Sequence, residues 1–175
     1  MQLRLGDVSA IRAAEAHDIR QEQGMGDAAT AYLKAAITLS SRAAREEIAA
    51  RPIISSWSAL ITYVQMSLRH EPREQFRVLF LDRKNQLIKD EILTRGTVDH
   101  APVYPREIAR RALELSASSL ILVHNHPSGD PTPSRADIDI TRELMDALMS
   151  FDITIHDHLI VGMEGVTSFK TAGLI

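Results

Sequence analysis

The stretch that most constrains this chain runs from 119 to 137: a strand pattern, a stiff loop and a helix start in immediate succession. Residues 119–123, with Leu120, Ile121, Leu122 and Val123, read as a buried strand and lead straight into His124-Asn125-His126-Pro127. In extended backbone side chains alternate between faces, so His124 and His126 point the same way at the carboxyl end of that strand. Pro127, Gly129, Pro131 and Pro133 stiffen the next ten residues. Ser134 then opens a helix over 134–149, and Asp137, eleven residues past His126, falls in its first turn. Two imidazoles and one carboxylate, with a fourth position left for water, form the ligand set of a catalytic zinc site.

Plainer readings compete with this one. A lone His-x-His pair also occurs as two surface histidines. Ser134 and Asp137 fit the S-x-x-[DE] capping box, in which the acidic side chain reaches back to the N-cap. Asp137, however, shares a helix face with Thr141, Leu144 and Leu148, the face that packs inward. A carboxylate at the buried end of such a face needs a partner charge or a metal. Capping and metal binding thus compete for one side chain, and the metal is the expectation. His124, His126 and Asp137 are expected to hold one divalent ion per chain, Zn²⁺ first, although these ligand types also suit Mn²⁺ and Fe²⁺.

The wider string from His124 through Ser128-Gly129-Asp130-Pro131-Thr132-Pro133 to Ser134, with Asp137 beyond it, resembles the JAMM (MPN or JAB) motif as the RadC family carries it. Phe76-Arg77-Val78-Leu79-Phe80-Leu81-Asp82 and Asp157-His158-Leu159-Ile160-Val161-Gly162 resemble that family too, and the likeness extends from about Glu71 to the C-terminus. It implies a cytidine-deaminase-like α/β/α sandwich with a mixed central sheet. It also implies zinc-dependent hydrolysis of an amide or isopeptide bond, in which a glutamate that is not a ligand takes a proton from water. Glu74 matches that glutamate by place, just before the strand at 75–81 and two residues after Pro72. Glu91, in a second strand, and Glu107, in a helix opened by Pro105, read as solvated charges. Ser134 is expected to help hold the oxyanion besides capping its helix. The alternative reading is a DNA-associated protein whose domain serves as a binding platform with little catalysis.

Composition narrows the options further. The chain has 175 residues and a net charge of −3, which suits one domain with a small appendage. It has no cysteine, so disulfides and the Cys-x-x-Cys zinc ligands of cytidine deaminases are excluded. No run approaches the roughly 18 apolar residues of a membrane span, and no signal peptide is evident, so the cytoplasm is the expected location.

Two parts are expected, a helical segment at 1–50 and the metal-binding domain at 51–175, with Arg51-Pro52 between them. In the first part Ala31, Ala35, Leu39 and Ala43 recur about one turn apart, and Asp27 after Gly24-Met25-Gly26 reads as an N-cap. Gly24-Met25-Gly26 also resembles the second half of the helix-hairpin-helix that RadC proteins carry, although the hairpin is incomplete here. Residues 1–50 hold six Lys/Arg (Arg4, Arg12, Arg20, Lys34, Arg42 and Arg45) against seven Asp/Glu, so at most weak DNA binding is expected. In the second part a helix at 56–69 precedes strands at 75–81, 86–93, 119–123, 153–157 and 159–161, with helices from Pro105 and Ser134. His156 and His158 alternate with Asp157, so they are read as sharing a face and as orienting ligands or bonding within the sheet end. The substrate, a protein or peptide, is not specified by any residue pattern.

Overall fold

The structure is a computed structural model that describes residues 11–175 apart from 13, 50–51 and 96–102. Arg4, Arg51 and the rest of 1–10 lie outside the described residues. The elements in chain order are α1 (Ala16–Arg20), α2 (Asp27–Ala49), a 3₁₀ turn (Ile53–Ser56), α3 (Trp57–Leu68), β1 (Gln75–Leu81), β2 (Leu87–Arg95), α4 (Pro105–Glu114), β3 (Ser119–Asn125), α5 (Arg135–Met149), β4 (Thr154–Val161) and β5 (Val166–Ser168). The sheet order is β2-β1-β3-β4-β5. It is mixed: β3 and β4 run parallel, joined through α5, and the other neighbours are antiparallel.

Helices cover both faces of the sheet, which is why β1 and β3 are buried along their whole length instead of alternating with polar residues. On one face Phe76, Val78, Phe80, Leu120 and Leu122 pack against Ile108, Ala109 and Ala112 of α4 and Leu144 and Leu148 of α5. On the other, Leu79, Leu81, Ile121, Val123, Leu159 and Val161 meet Leu60, Tyr63, Val64 and Leu68 of α3 and Ile48 of α2. This is an α/β/α sandwich. Truncating any of these large buried side chains to Ala costs about 2–5 kcal/mol. Pro105 sits in the first turn of α4, where its missing N–H costs nothing.

The N-terminal helices correct two expectations. Asp27 is the first residue of α2 and not its side-chain cap: its Oδ1 accepts from Arg20 Nη1 at 2.9 Å, while the carbonyl of Gly26 accepts the Thr30 N–H at 2.9 Å. The stripe Ala31, Ala35, Leu39 and Ala43 faces solvent, with Leu39 68% exposed. The inward stripe is instead Thr30, Leu33, Ile37, Ser41, Ala44 and Ile48. An alanine-rich helix offers two apolar stripes, and the one with the bulkier Leu33, Ile37 and Ile48 removes more surface from water.

A third correction concerns β4. The segments expected at 153–157 and 159–161 are one strand, and it carries a bulge: Leu120 faces Ile155 whereas Ile121 faces Asp157, leaving His156 without a partner residue. The extra residue reverses the alternation. His156 turns to Asn85 Oδ1 at 2.6 Å, in the β1–β2 turn, while His158 points to the α5 side against Thr141. The two histidines do not share a face.

Candidate metal centre

The carboxyl ends of the parallel pair β3 and β4 lie side by side, the position at which α/β sheets present ligands. His124 is the next-to-last residue of β3, and His126 follows one residue past its end. The His126 N–H still bonds the Val161 carbonyl at 2.9 Å, so the strand direction is held beyond the formal ladder. The two rings lie 5.0 Å apart at 89°. The loop that follows is pressed onto β4 at Gly162, where a Cβ would come within 2.2 Å of the Gly129 carbonyl oxygen. No other residue fits there. Through this contact the turn of β4 fixes the loop that supplies the Asp130 carbonyl to His126.

Asp137 reaches the same point from α5. It completes a capping box: Ser134 Oγ accepts the Asp137 N–H at 3.1 Å, and Asp137 Oδ2 accepts the Ser134 N–H at 2.7 Å. The same carboxylate stands 2.9 Å from His124 Nδ1 through Oδ1 and 3.3 Å from His126 Nε2 through Oδ2. Capping and metal binding are expected to compete for this side chain, and the cap leaves the carboxylate facing both histidines. A carboxylate has about four lone-pair sites, and the cap uses one of them. Thr141, Leu144 and Leu148 share its buried helix face.

Glu74 arrives from the entrance of β1, with Oε1 2.7 Å from His124 Nε2. Of the three glutamates considered from the sequence, it alone joins the cluster. Glu91 is half-buried in the middle of β2 and accepts from Arg111 Nε at 2.8 Å, which holds its carboxyl below the usual range; it is an ion-pair partner and not a solvated charge. Glu107 is exposed and pairs with Arg110 at 3.1 Å on its own helix.

Protons are scarce in this cluster. His126 Nδ1 lies 2.9 Å from the Asp130 carbonyl, which only accepts, so Nδ1 carries the proton and a neutral ring turns the Nε2 lone pair toward Asp137. A neutral His124 has one proton for two carboxylates. Its Nδ1 is buried and makes no well-aligned hydrogen bond despite its closeness to Asp137. Whichever nitrogen is bare therefore faces a carboxylate oxygen. Burial works to raise the Asp137 carboxyl, but the protonated forms of His124 and His126, together with the Ser134 N–H, outweigh it and hold the group well below the usual carboxylate range. His126 is raised by the same carboxylate, against the opposing effect of burial.

The side chains of His124, His126 and Asp137 bring ligand atoms within 4.8 Å of one another, and these donors fit a cation: two nitrogens and a carboxylate, with lone pairs that otherwise oppose each other. Among the described residues, the ion-pair partners of Asp137 are these two histidines and no Lys or Arg.

Behind the cluster, Thr141 Oγ1 is 2.5 Å from the Asp137 carbonyl and 2.7 Å from His158 Nδ1. The hydroxyl has one proton, which goes to the carbonyl, so His158 donates from Nδ1 and its buried Nε2 is bare and without a hydrogen-bond partner. His158 lies against Phe169 with centroids 4.6 Å apart and parallel to His124 at 6.3 Å. Burial pushes its pKa down to about 3, so it is neutral at physiological pH. Asp157 secures this wall by accepting the backbone N–H groups of His158 (2.8 Å) and Lys170 (3.0 Å) and the Ser168 hydroxyl (2.5 Å).

Sequence reasoning passed over Asn125, Asp157 and Gly162. A polar side chain inside an apolar strand end was the available signal for the first, since a buried amide must find partners. No helix among the described residues is long and apolar enough to cross a membrane. A model of the RadC-like JAB domain family matches residues 54–174.

Proposed function

Because the chain belongs to the RadC-like JAB domain family, we propose that it is a zinc-dependent hydrolase of metallopeptidase type that cleaves an amide or isopeptide bond in a protein or peptide. The observation that carries this reading is the convergence of His124, His126 and Asp137 with Glu74 beside them. His124, His126 and Asp137 would hold one Zn²⁺ per chain. The ion would supply Lewis acidity, polarising the scissile carbonyl and bringing the pKa of a water to roughly 7.

The remaining steps belong to the chain itself. Glu74 would accept the proton that the attacking water loses as its oxygen bonds to the carbonyl carbon. It would then deliver that proton to the leaving amine nitrogen as the C–N bond breaks. Ser134 uses its oxygen to accept the Asp137 N–H, so its own O–H stays free to donate to the developing oxyanion. The division into a helical segment at 1–50 and a domain at 51–175 is part of the proposal, supported by a family match that begins at residue 54. So is a cytoplasmic location.

A DNA-binding role for residues 1–50 is the competing reading, and the basic side chains there speak against it. Arg12 bonds Ser41 Oγ at 2.8 Å, Arg20 pairs with Asp27 at 2.9 Å, and Lys34 donates to the Arg12 carbonyl at 3.2 Å. These three are already engaged within the protein, which leaves Arg42 and Arg45 as the remaining exposed cations of the segment among the described residues. Binding to duplex DNA near physiological salt is expected to be no tighter than about 10⁻⁶ M.

The test loads the protein with Zn²⁺ and screens a quenched-fluorescent peptide library that includes isopeptide-linked lysines. Cleavage that disappears on chelation, returns with Zn²⁺ and is lost in Glu74→Gln is the expected result. Stoichiometric zinc without cleavage, together with nanomolar DNA binding that is lost on deleting residues 1–50, would overturn it.

A further inference from the structure

Asn125 sits between the two histidines in sequence, yet its side chain takes no part in their cluster. It is 1% exposed. Every polar atom of its carboxamide is engaged: Oδ1 accepts the Gln75 N–H at 2.8 Å, and Nδ2 donates to the carbonyls of Glu71 and Arg73, each at 3.2 Å. One donor and two acceptors on the partner side fix which end of the amide is which. The backbone ladder between β1 and β3 stops at Phe76 opposite His124. Beyond that pair the Asn125 side chain serves in place of a strand, holding the segment that leads into β1.

The three residues it holds bracket Glu74 on both sides. Glu74 itself is half-buried, and its carboxylate meets the His124 ring at 2.7 Å. Gln75 pairs with Arg95 of β2, but Glu74 and the residues before it lie outside the ladder, where a carboxylate would wander; three hydrogen bonds from one buried amide give them a single path. We propose that Asn125 is a positioning residue for Glu74: it acts through the backbone of residues 71–75 to keep the Glu74 carboxylate at the histidine cluster. The inference rests on the reading of Glu74 as the proton acceptor, which it deepens. It also explains the residue type. Asp would keep the acceptor for Gln75 but set a charge against two carbonyls, and an aliphatic residue would leave three backbone groups unpaired.

The test uses full-length ¹⁵N-labelled protein, first metal-free and then titrated with Zn²⁺. In the native protein the Gln75 amide should exchange slowly, and the His124 proton is expected on Nε2, facing Glu74, where it should give a slowly exchanging downfield resonance. Asn125→Ala should speed Gln75 exchange by about 10²-fold, as expected when a local hydrogen bond is lost, and abolish the ring-proton signal. A group that orients a metal ligand costs about 10–100-fold in metal affinity when removed. Asn125 touches no ligand side chain, so zinc affinity should move by less than about tenfold. Asn125→Asp should keep Gln75 slow while weakening the ring-proton signal, and it decides the matter together with the native spectrum if the alanine variant does not fold. Fast Gln75 exchange in the native protein, or an intact ring-proton signal in folded Asn125→Ala, overturns this inference alone. Full hydrolysis by zinc-loaded Glu74→Gln on a peptide from the screen overturns the proton-acceptor reading as well.

Discussion

Two buried polar clusters flank strand β1, one toward α5 and one toward α3. On the α3 side Arg77 pairs with Asp90 at 3.1 Å with both side chains at least nine-tenths buried, and the Tyr63 hydroxyl hydrogen-bonds Asp90. Burial, reinforced by Asp90, pushes the Tyr63 pKa up to about 12, so the phenol stays neutral and donates. That cluster holds one cation and one anion, so its charges balance without a bound ion, although Arg77 Nε and Asp90 Oδ1 are buried without a hydrogen-bond partner. On the α5 side, Glu74 and Asp137 face histidines that balance them only by taking up protons, and bare ring nitrogens are left against carboxylate oxygens. Both sites bury charge. The first is balanced by an arginine, the second has opposed lone pairs that would suit a cation, and that difference separates a structural ion pair from a candidate metal site.

The contrast breaks if the two clusters respond alike to substitution. The largest difference is expected in turnover. Glu74→Gln should lower hydrolysis by about 10²–10⁴ with zinc content unchanged, the usual range for a lost general base. Asp90→Asn should leave both turnover and zinc untouched. Kinetics and elemental analysis on the same preparations check both halves.

Stability should show the reverse pattern. Removing one partner of a buried pair leaves the other charge uncompensated, at about 3–5 kcal/mol. Asp90→Asn should therefore destabilise the protein by that amount in denaturant titrations. Asp137→Asn in the metal-free protein should cost closer to about 1 kcal/mol, since the amide oxygen can still accept the Ser134 N–H and preserve the cap. Equal losses at the two positions would mean that the α5-side cluster is a structural ion pair as well.

A smaller effect lies in pH dependence, measured on metal-free protein. The folded-state pKa of His158 is lowered to about 3, so below the unfolded value of about 6.5 the unfolded chain takes up a proton that the folded chain refuses. Its contribution is thus fully present above about pH 6.5 and is lost as pH falls, with a slope of up to about 1.36 kcal/mol per pH unit. His126 is raised and acts in the opposite sense: its contribution is present at low pH and lost as pH rises through the raised value. His158→Phe, an apolar ring among Phe76 and Phe169, should flatten the acid limb and leave the alkaline limb in place. An unchanged acid limb would mean that another group controls it.

Much of the centre was legible in the sequence because its parts are local. Strand periodicity put His124 and His126 on one side, Pro127 to Pro133 ruled out a regular element, and the helix period set Asp137 in line with Thr141 and Leu144. Glu74 was placed through the family resemblance. What escaped depends on contacts between distant segments. The bulge that separates His156 from His158 exists only in the pairing of β4 with β3. The exposed stripe of α2 lost to a bulkier one once there was a sheet to pack against. Nothing local in the sequence marks the partnership of Arg77 and Asp90 across β1 and β2. Asp137 was legible as either a cap or a ligand, and the geometry of one carboxylate allows both.

The central claim is that the α5-side cluster is completed by a metal ion, and metal content tests it most directly. Protein purified without chelator or added metal should carry close to one zinc per chain by elemental analysis, and stripped protein should take up one equivalent on titration. His124→Ala with His126→Ala should carry none while keeping a cooperative unfolding transition. A wild-type chain that takes up no divalent metal, or a double variant with undiminished metal content, would contradict the account.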